Sequence, residues 1–259
     1  MKVFFLSKKA MYIISIILVV IILAVVFISS KGEDLSSVFL AKNKLIPIYS
    51  VETEEKVVAV SFDAAWGDEY TQEILDILEN EEIKTTFFLV SLWIDKYPDQ
   101  VKAIVKAGHE IGNHSNSHPD MAKLDKDKIA EELKLTNDKI FEFTNKDTVL
   151  FRPPFGSYSD DVIKIAQEQG CFTIQWDVDS LDWKNEGKEQ IINRVVSNIR
   201  PGSIVLFHNN AEYTTAALPT IIKELKDQGY EIVPISELIY KENYTIDHTG
   251  RQLSNTTKK

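Results

Sequence analysis

Strand-like and helix-like segments alternate without a break from about residue 56, and this alternation leaves few folds open. Short apolar runs at 57–62, 85–90, 149–151, 171–176, 203–207 and 231–233 have the continuous hydrophobicity of strands buried on both faces, and a further short strand fits just before Gly112. Amphipathic segments at 68–80, 99–106, 126–143, 160–169, 188–199 and 215–228 fall between them, several closed by a glycine such as Gly108 or Gly170. Repeated βα units predict a parallel sheet with helices outside it. About seven such units in about 190 residues predict an incomplete, distorted (β/α)7 barrel, with an open doubly wound sheet as the runner-up.

A barrel of this kind collects its chemistry at the C-terminal ends of its strands. Asp63 follows the first predicted strand, His114 and His118 the third, Arg152 the fourth, Asp177, Asp179 and Asp182 the fifth, and His208 the sixth. The pentapeptide from His114 to His118 places two imidazoles four positions apart, where both can grip one divalent cation. Imidazole suits zinc or cobalt better than magnesium or calcium. The chain has five histidines in all, so two at ligand spacing carry weight.

Ahead of this domain, the apolar run from Ala10 to Ile28 contains no charge. At roughly 1.5 Å per residue it reaches about 30 Å, the thickness of a bilayer core. A cleaved signal peptide is the alternative, but the run is long for one and no small-x-small cleavage site follows it. Lys2, Lys8 and Lys9 precede it, so the positive-inside rule puts residues 1–9 in the cytoplasm, a signal anchor at 10–29 in the membrane and the rest outside. Residues 30–55 are predicted as a juxtamembrane linker and lead-in, 56–240 as the main folded domain and 241–259 as a polar tail. The formal net charge of -10 argues against a nucleic-acid partner. The single cysteine, Cys171, cannot form an internal disulfide and reads as a buried strand residue.

Five motifs occur in order: Ser61-Phe62-Asp63, His114-x-x-x-His118, Arg152-Pro153-Pro154-Phe155-Gly156, Asp179-x-x-Asp182-Trp183 and Leu206-Phe207-His208. The set resembles the polysaccharide deacetylases of carbohydrate esterase family 4, the NodB-homology domain. It looks most like the sporulation polysaccharide deacetylase B branch, whose short anchor, lead-in and Trp-Gly after the first motif are matched here by the apolar run, by residues 47–53 and by Trp66-Gly67. The resemblance implies a membrane-anchored, extracytoplasmic, forespore-associated enzyme that removes N-acetyl groups from amino sugars of peptidoglycan or a related N-acetylated glycan. It implies a divalent metal, zinc or cobalt, held by His114 and His118. It makes Asp63 the base, His208 the general acid, Arg152 the residue that orients Asp63, and Asp182 the partner of His208. The backbone N–H of Phe155 would meet the oxyanion, and Trp183 and Leu206 would shape the wall against the sugar.

One position breaks the pattern. The family's first motif carries two consecutive aspartates, the second a metal ligand, and here Ala64 stands in its place. Alanine ligates nothing. Three outcomes are open: a weaker site of two histidines and water, a substitute such as Asp68, or Asp63 itself approaching the metal. The competing function is a catalytically degenerate glycan-binding module of the same fold.

Overall fold

The computed structural model describes residues 9, 17–23 and 44–255. The chain divides into two compact units, residues 1–44 and residues 45–259. Residues 17–23 are helical, but most of the predicted anchor at 10–29 lies outside the described residues. Among the described residues no helix is long and apolar enough to cross a membrane.

The second unit is built on a parallel sheet. Its strands are β2 (Val57–Ala64), β3 (Thr86–Leu89), β4 (Glu110–Asn113), β5 (Leu150–Phe151), β6 (Phe172–Thr173), β7 (Val178–Asp179) and β8 (Ile204–His208), in the spatial order β6-β5-β4-β3-β2-β8-β7. A short strand, β9 (Glu231–Ile232), pairs with the start of β2. Every pairing in this sheet is parallel. The two outer strands, β6 and β7, do not pair with each other, so the sheet is a curled half-barrel, as the alternation predicts. The predicted strand at 171–176 is shorter than expected, because residues 175–176 run from one outer strand to the other.

Helices α1 (Thr71–Asn80), α2 (Ser91–Lys96), α3 (Pro98–Lys106), α4 (Lys126–Thr144), α5 (Asp160–Glu168), α6 (Lys188–Asn198), α7 (Thr214–Asp227) and α8 (Ile235–Leu238) complete the βα units. Local chemistry sets their ends. The Asp125 carboxylate caps α4 by accepting from Lys128 N–H, and Ser159 Oγ does the same for Val162 N–H in α5. Asn145 closes α4 in the left-handed conformation.

Strand alternation sorts β2 into two faces. Val58, Val60, Phe62 and Ala64 join the apolar cluster shared with the helices. Ala59, Ser61 and Asp63 lie on the opposite face, where Ser61 Oγ donates to the Val205 carbonyl at 2.8 Å. Phe62 is fully buried and stacks on Phe87 and Phe207, with ring centroids 5.0 and 5.7 Å away. A side chain of this size contributes about 1.5–3 kcal/mol when fully buried.

The segments predicted as lead-in and tail are part of the fold. β1 (Ser50–Val51) pairs with β11 (Arg251–Ser254), which pairs with β10 (Tyr244–Ile246), so a second sheet joins residues from both ends of the unit. Ile48 bridges Ile174 and Ser50 bridges Ser203, which ties the lead-in across the open side of the half-barrel. Residues 241–255 have the polar composition of a tail, yet one polar side chain there is a core element. Gln252 is fully buried, accepts from Tyr240 N–H at 2.8 Å and donates to the Tyr240 carbonyl at 2.6 Å. Gln252→Ala leaves both groups unpaired, and chemical denaturation is expected to show a loss of about 1–3 kcal/mol.

Candidate active site

The C-terminal ends of β2, β4, β5, β7 and β8 surround a cleft of about 570 Å³. Asp63, His114, His118, Phe155, Trp183, Leu206 and His208 all line it. Two predicted residues, Arg152 and Asp182, lie behind it, both fully buried.

Asp63 sits at the end of β2, in register with His208 on β8 and Phe88 on β3. Arg152, from the turn after β5, donates from Nη1 to Asp63 Oδ1 at 2.7 Å and from Nη2 to the Gln175 carbonyl at 3.3 Å. Its guanidinium lies 4.1 Å from the Phe88 ring centroid. Burial alone would raise the Asp63 pKa. The charge and hydrogen bond of Arg152, with the nearby His208, outweigh it and hold the carboxylate below the ordinary range.

The His114–His118 loop leads out of β4. His114 Nδ1 lies 2.7 Å from the Arg152 carbonyl, which can only accept, so Nδ1 carries the proton and Nε2 offers a lone pair. That lone pair faces Asp63 Oδ2 at 3.4 Å. His118 Nδ1 is buried without a hydrogen-bond partner. Burial, followed by the charge of His114, pushes the His118 pKa down to about 4. Burial also lowers His114, against the opposing charge of Asp63. Both imidazoles are therefore neutral near pH 7.

Glu132 on α4 shapes this loop, and no motif or spacing marks it. Its carboxylate accepts from Asn116 N–H, Ser117 N–H and Ser117 Oγ at 2.9, 2.8 and 2.7 Å. Asn113 Oδ1 accepts from Ser115 N–H, and Ser115 Oγ from His118 N–H. These contacts hold Ser115 and His118 at φ values of 70° and 59°. Phe155 (φ 58°) and Leu181 (φ 52°) share the left-handed region. Such residues cost of order 1–3 kcal/mol each and gather at functional sites.

His208 is held from behind by Asp182. The Asp182 carboxylate accepts from His208 Nδ1, His208 N–H and Thr214 Oγ1, each at 2.7 Å, and from Trp183 N–H at 2.9 Å. Burial would lower the His208 pKa, but the Asp182 hydrogen bond and charge, with the charges of Asp63 and Asp179, raise it above the ordinary histidine value. The cleft thus pairs a carboxylate biased toward its ionised form with an imidazole biased toward its protonated form. In Asp182→Asn the opposing charge is gone and burial remains. The alkaline limb of the pH–rate profile is expected to move to lower pH, measured as kcat/KM across pH.

Of the three outcomes left open by Ala64, the geometry favours Asp63. Ala64 is fully buried, in register with Leu89 and through it with Asn113. That row faces the helices, since Asn113 Nδ2 donates to the Leu133 carbonyl of α4. Asp68 pairs with Gln100 Nε2 at 3.4 Å and does not line the cleft. Among the described residues no group of three His, Cys, Asp or Glu side chains is placed to hold a metal ion. What remains is two neutral imidazoles and one carboxylate oxygen, with a lone pair facing an anion and an orphaned ring nitrogen beside them. Imidazole nitrogen and carboxylate oxygen are donor types that suit zinc or cobalt.

Asp177 and Asp179 are fixed by hydrogen bonds, and Asp179 also lines the cleft. Asp177 accepts from Arg200, Ser203 and Ile204 N–H, and burial raises its pKa. Asp179 accepts from Trp176 Nε1 and Leu181 N–H. Cys171 is buried, which pushes its thiol up to about 11.

Residues 50–174 match the family model for polysaccharide deacetylase. A peptidoglycan-N-acetylglucosamine deacetylase of Bacillus cereus is 40% identical over 74% of this chain and 92% of its own length. The chain belongs to the polysaccharide deacetylase family. Members are carbohydrate esterases that hydrolyse N-acetyl amide bonds, and they are generally metal-dependent. The uncharacterized protein YlxY of Bacillus subtilis is 38% identical over 78% of this chain, which spans 63% of YlxY. The solved structure of wild-type BA3943 from Bacillus anthracis, described as a family pseudoenzyme, is 43% identical with a TM-score of 0.72, covering 74% of this chain and 68% of that one. A mutant of BA3943 with restored enzymatic activity matches at 44% identity and the same TM-score, covering 74% and 70%.

Proposed function

We propose that this deacetylase removes N-acetyl groups from amino sugars of peptidoglycan-type glycan, using a divalent metal held by His114, His118 and Asp63. The observation that carries the reading is the pairing of Asp63, its pKa lowered, with His208, its pKa raised, on adjacent strands, with two histidines beside them. Groups driven to opposite protonation states in one cleft divide the base and acid roles between them. The family's peptidoglycan-deacetylating relatives supply the substrate class.

An amide carbonyl is a poor electrophile, and a bound cation would polarise it and favour ionisation of water. Asp63, fixed through Oδ1 by Arg152, takes the proton of the attacking water. The backbone N–H of Phe155 stabilises charge developing on the acetyl oxygen. His208, held protonated by Asp182, delivers its proton to the departing sugar amine. Trp183 and Leu206 enclose the sugar and acetyl group. The apolar run at 10–29 supports attachment to the cell membrane with this domain outside, and the lead-in at 47–53 supports a place in sporulation or cell-wall modification.

A second reading has its own observation. Ala64 and the likeness to a pseudoenzyme favour glycan binding without turnover. Acetate release from N-acetylated chitooligosaccharides and peptidoglycan fragments, with zinc or cobalt added and then chelated, separates the two. Metal-dependent release is expected. Glycan binding without any release would replace the enzyme by the binding module.

A further inference from the structure

Trp66 plays no part in the chemistry above, yet it is among the most exposed large apolar side chains of the second unit, at 64%. It belongs to the loop that leaves β2 just after Asp63 and Ala64. Single exposed apolar residues are ordinary, but this one belongs to a group. Phe155 and Trp183, at 72% and 55% exposed, border the same cleft. The Trp66 ring meets His118 edge-on at 5.7 Å, and His118 meets Phe155 at 4.6 Å, so the three rings form one continuous wall.

The loop that carries Trp66 is also anchored. The carbonyl of the next residue, Gly67, accepts from Trp93 Nε1 at 2.6 Å and from Asn209 Nδ2 at 3.0 Å. Asn209 is fully buried, and its Nδ2 also donates to Thr71 Oγ1 at 3.0 Å. Gly67 itself sits at φ +56°, where a side chain would be strained and a Cβ would strike the Glu69 carboxylate. Buried polar groups thus fix the backbone of a surface loop whose side chain faces water. Holding an aromatic ring rigid and exposed lowers the cost of binding a flat apolar face against it.

Resting on the glycan reading above, we infer that Trp66 is a stacking platform for a second pyranose ring of the same strand, next to the sugar that is deacetylated. The apolar C–H face of a pyranose fits an indole, whereas the acetyl group turns to Asp63 and His208. The site then favours oligomers over the single sugar.

Isothermal titration of the full chain with N-acetylglucosamine and its di-, tetra- and hexamers tests this. For the wild type, affinity should rise with length. Trp66→Ala should lose at least about tenfold in affinity for the tetramer and hexamer, stay within about twofold for the monomer, and Trp66→Phe should recover most of the loss. Unchanged zinc affinity in both variants shows an intact fold and metal loop. Trp66→Ala binding every length as the wild type does would overturn the platform and leave the deacetylase reading standing. A wild type that binds no oligomer would overturn both.

Discussion

Asp63→Asn is expected to reduce kcat/KM for acetate release by about 10³-fold or more, in the upper range for a lost general base. The same substitution should weaken zinc binding by about 10- to 100-fold, because Oδ2 faces the His114 lone pair at 3.4 Å. A base with no metal contact would lose turnover and keep its zinc affinity, so measuring both separates the two accounts. There is a stability cost as well. Arg152 is fully buried against Asp63, and a buried cation stripped of its anion costs about 3–5 kcal/mol. In the wild type the Asp63 pKa is depressed on folding. Its contribution to stability is therefore fully present above the unfolded carboxylate value, about pH 4, and is lost as pH falls through the lower folded value. Acid denaturation of Asp63→Asn should lack this component.

Ala64→Asp is the second large effect, and its sign depends on metal. Position 64 packs in the apolar cluster on the helix side of β2. Without metal, a carboxylate there is a buried uncompensated charge costing about 3 kcal/mol or more, a fall in melting temperature of roughly 5–10 °C for a domain of this size. Ala64 is also the last residue of β2, so only the strand end must turn for the new carboxylate to join His114 and His118. With zinc the variant should bind at least about 100-fold more tightly than the wild type, recover its melting temperature and release acetate faster. Thermal melts and zinc titrations with and without chelator read both halves. A variant destabilised in both conditions would show that position 64 cannot reach the metal.

The fold was legible because period and composition agree along the sheet. The run at 57–62 reads as a strand buried on both faces, and β2 is that strand. The strand-end chemistry followed from the same alternation, since Asp63, His114, His118 and His208 sit where parallel strands deliver their last residues. The C-terminal strands were not legible. β10 and β11 are polar on the outside, and their one buried anchor, Gln252, is a residue type that composition assigns to solvent. Glu132 was hidden for another reason. On sequence it is one more acid on the polar face of α4, and only the tertiary fold brings it under the backbone of residues 116–117. Trp66 was visible as part of the Trp66-Gly67 pair, but the anchoring of Gly67 by Trp93 and Asn209 spans 26 and 142 residues of sequence.

The most direct test of the account is an isothermal titration of zinc into the metal-free full chain, beside His118→Ala. The account predicts one equivalent bound with a dissociation constant below millimolar in the wild type, and loss of that binding in the variant, whose substitution removes the orphaned ring nitrogen. Absence of binding in the wild type, or binding that His118→Ala leaves unchanged, would contradict it.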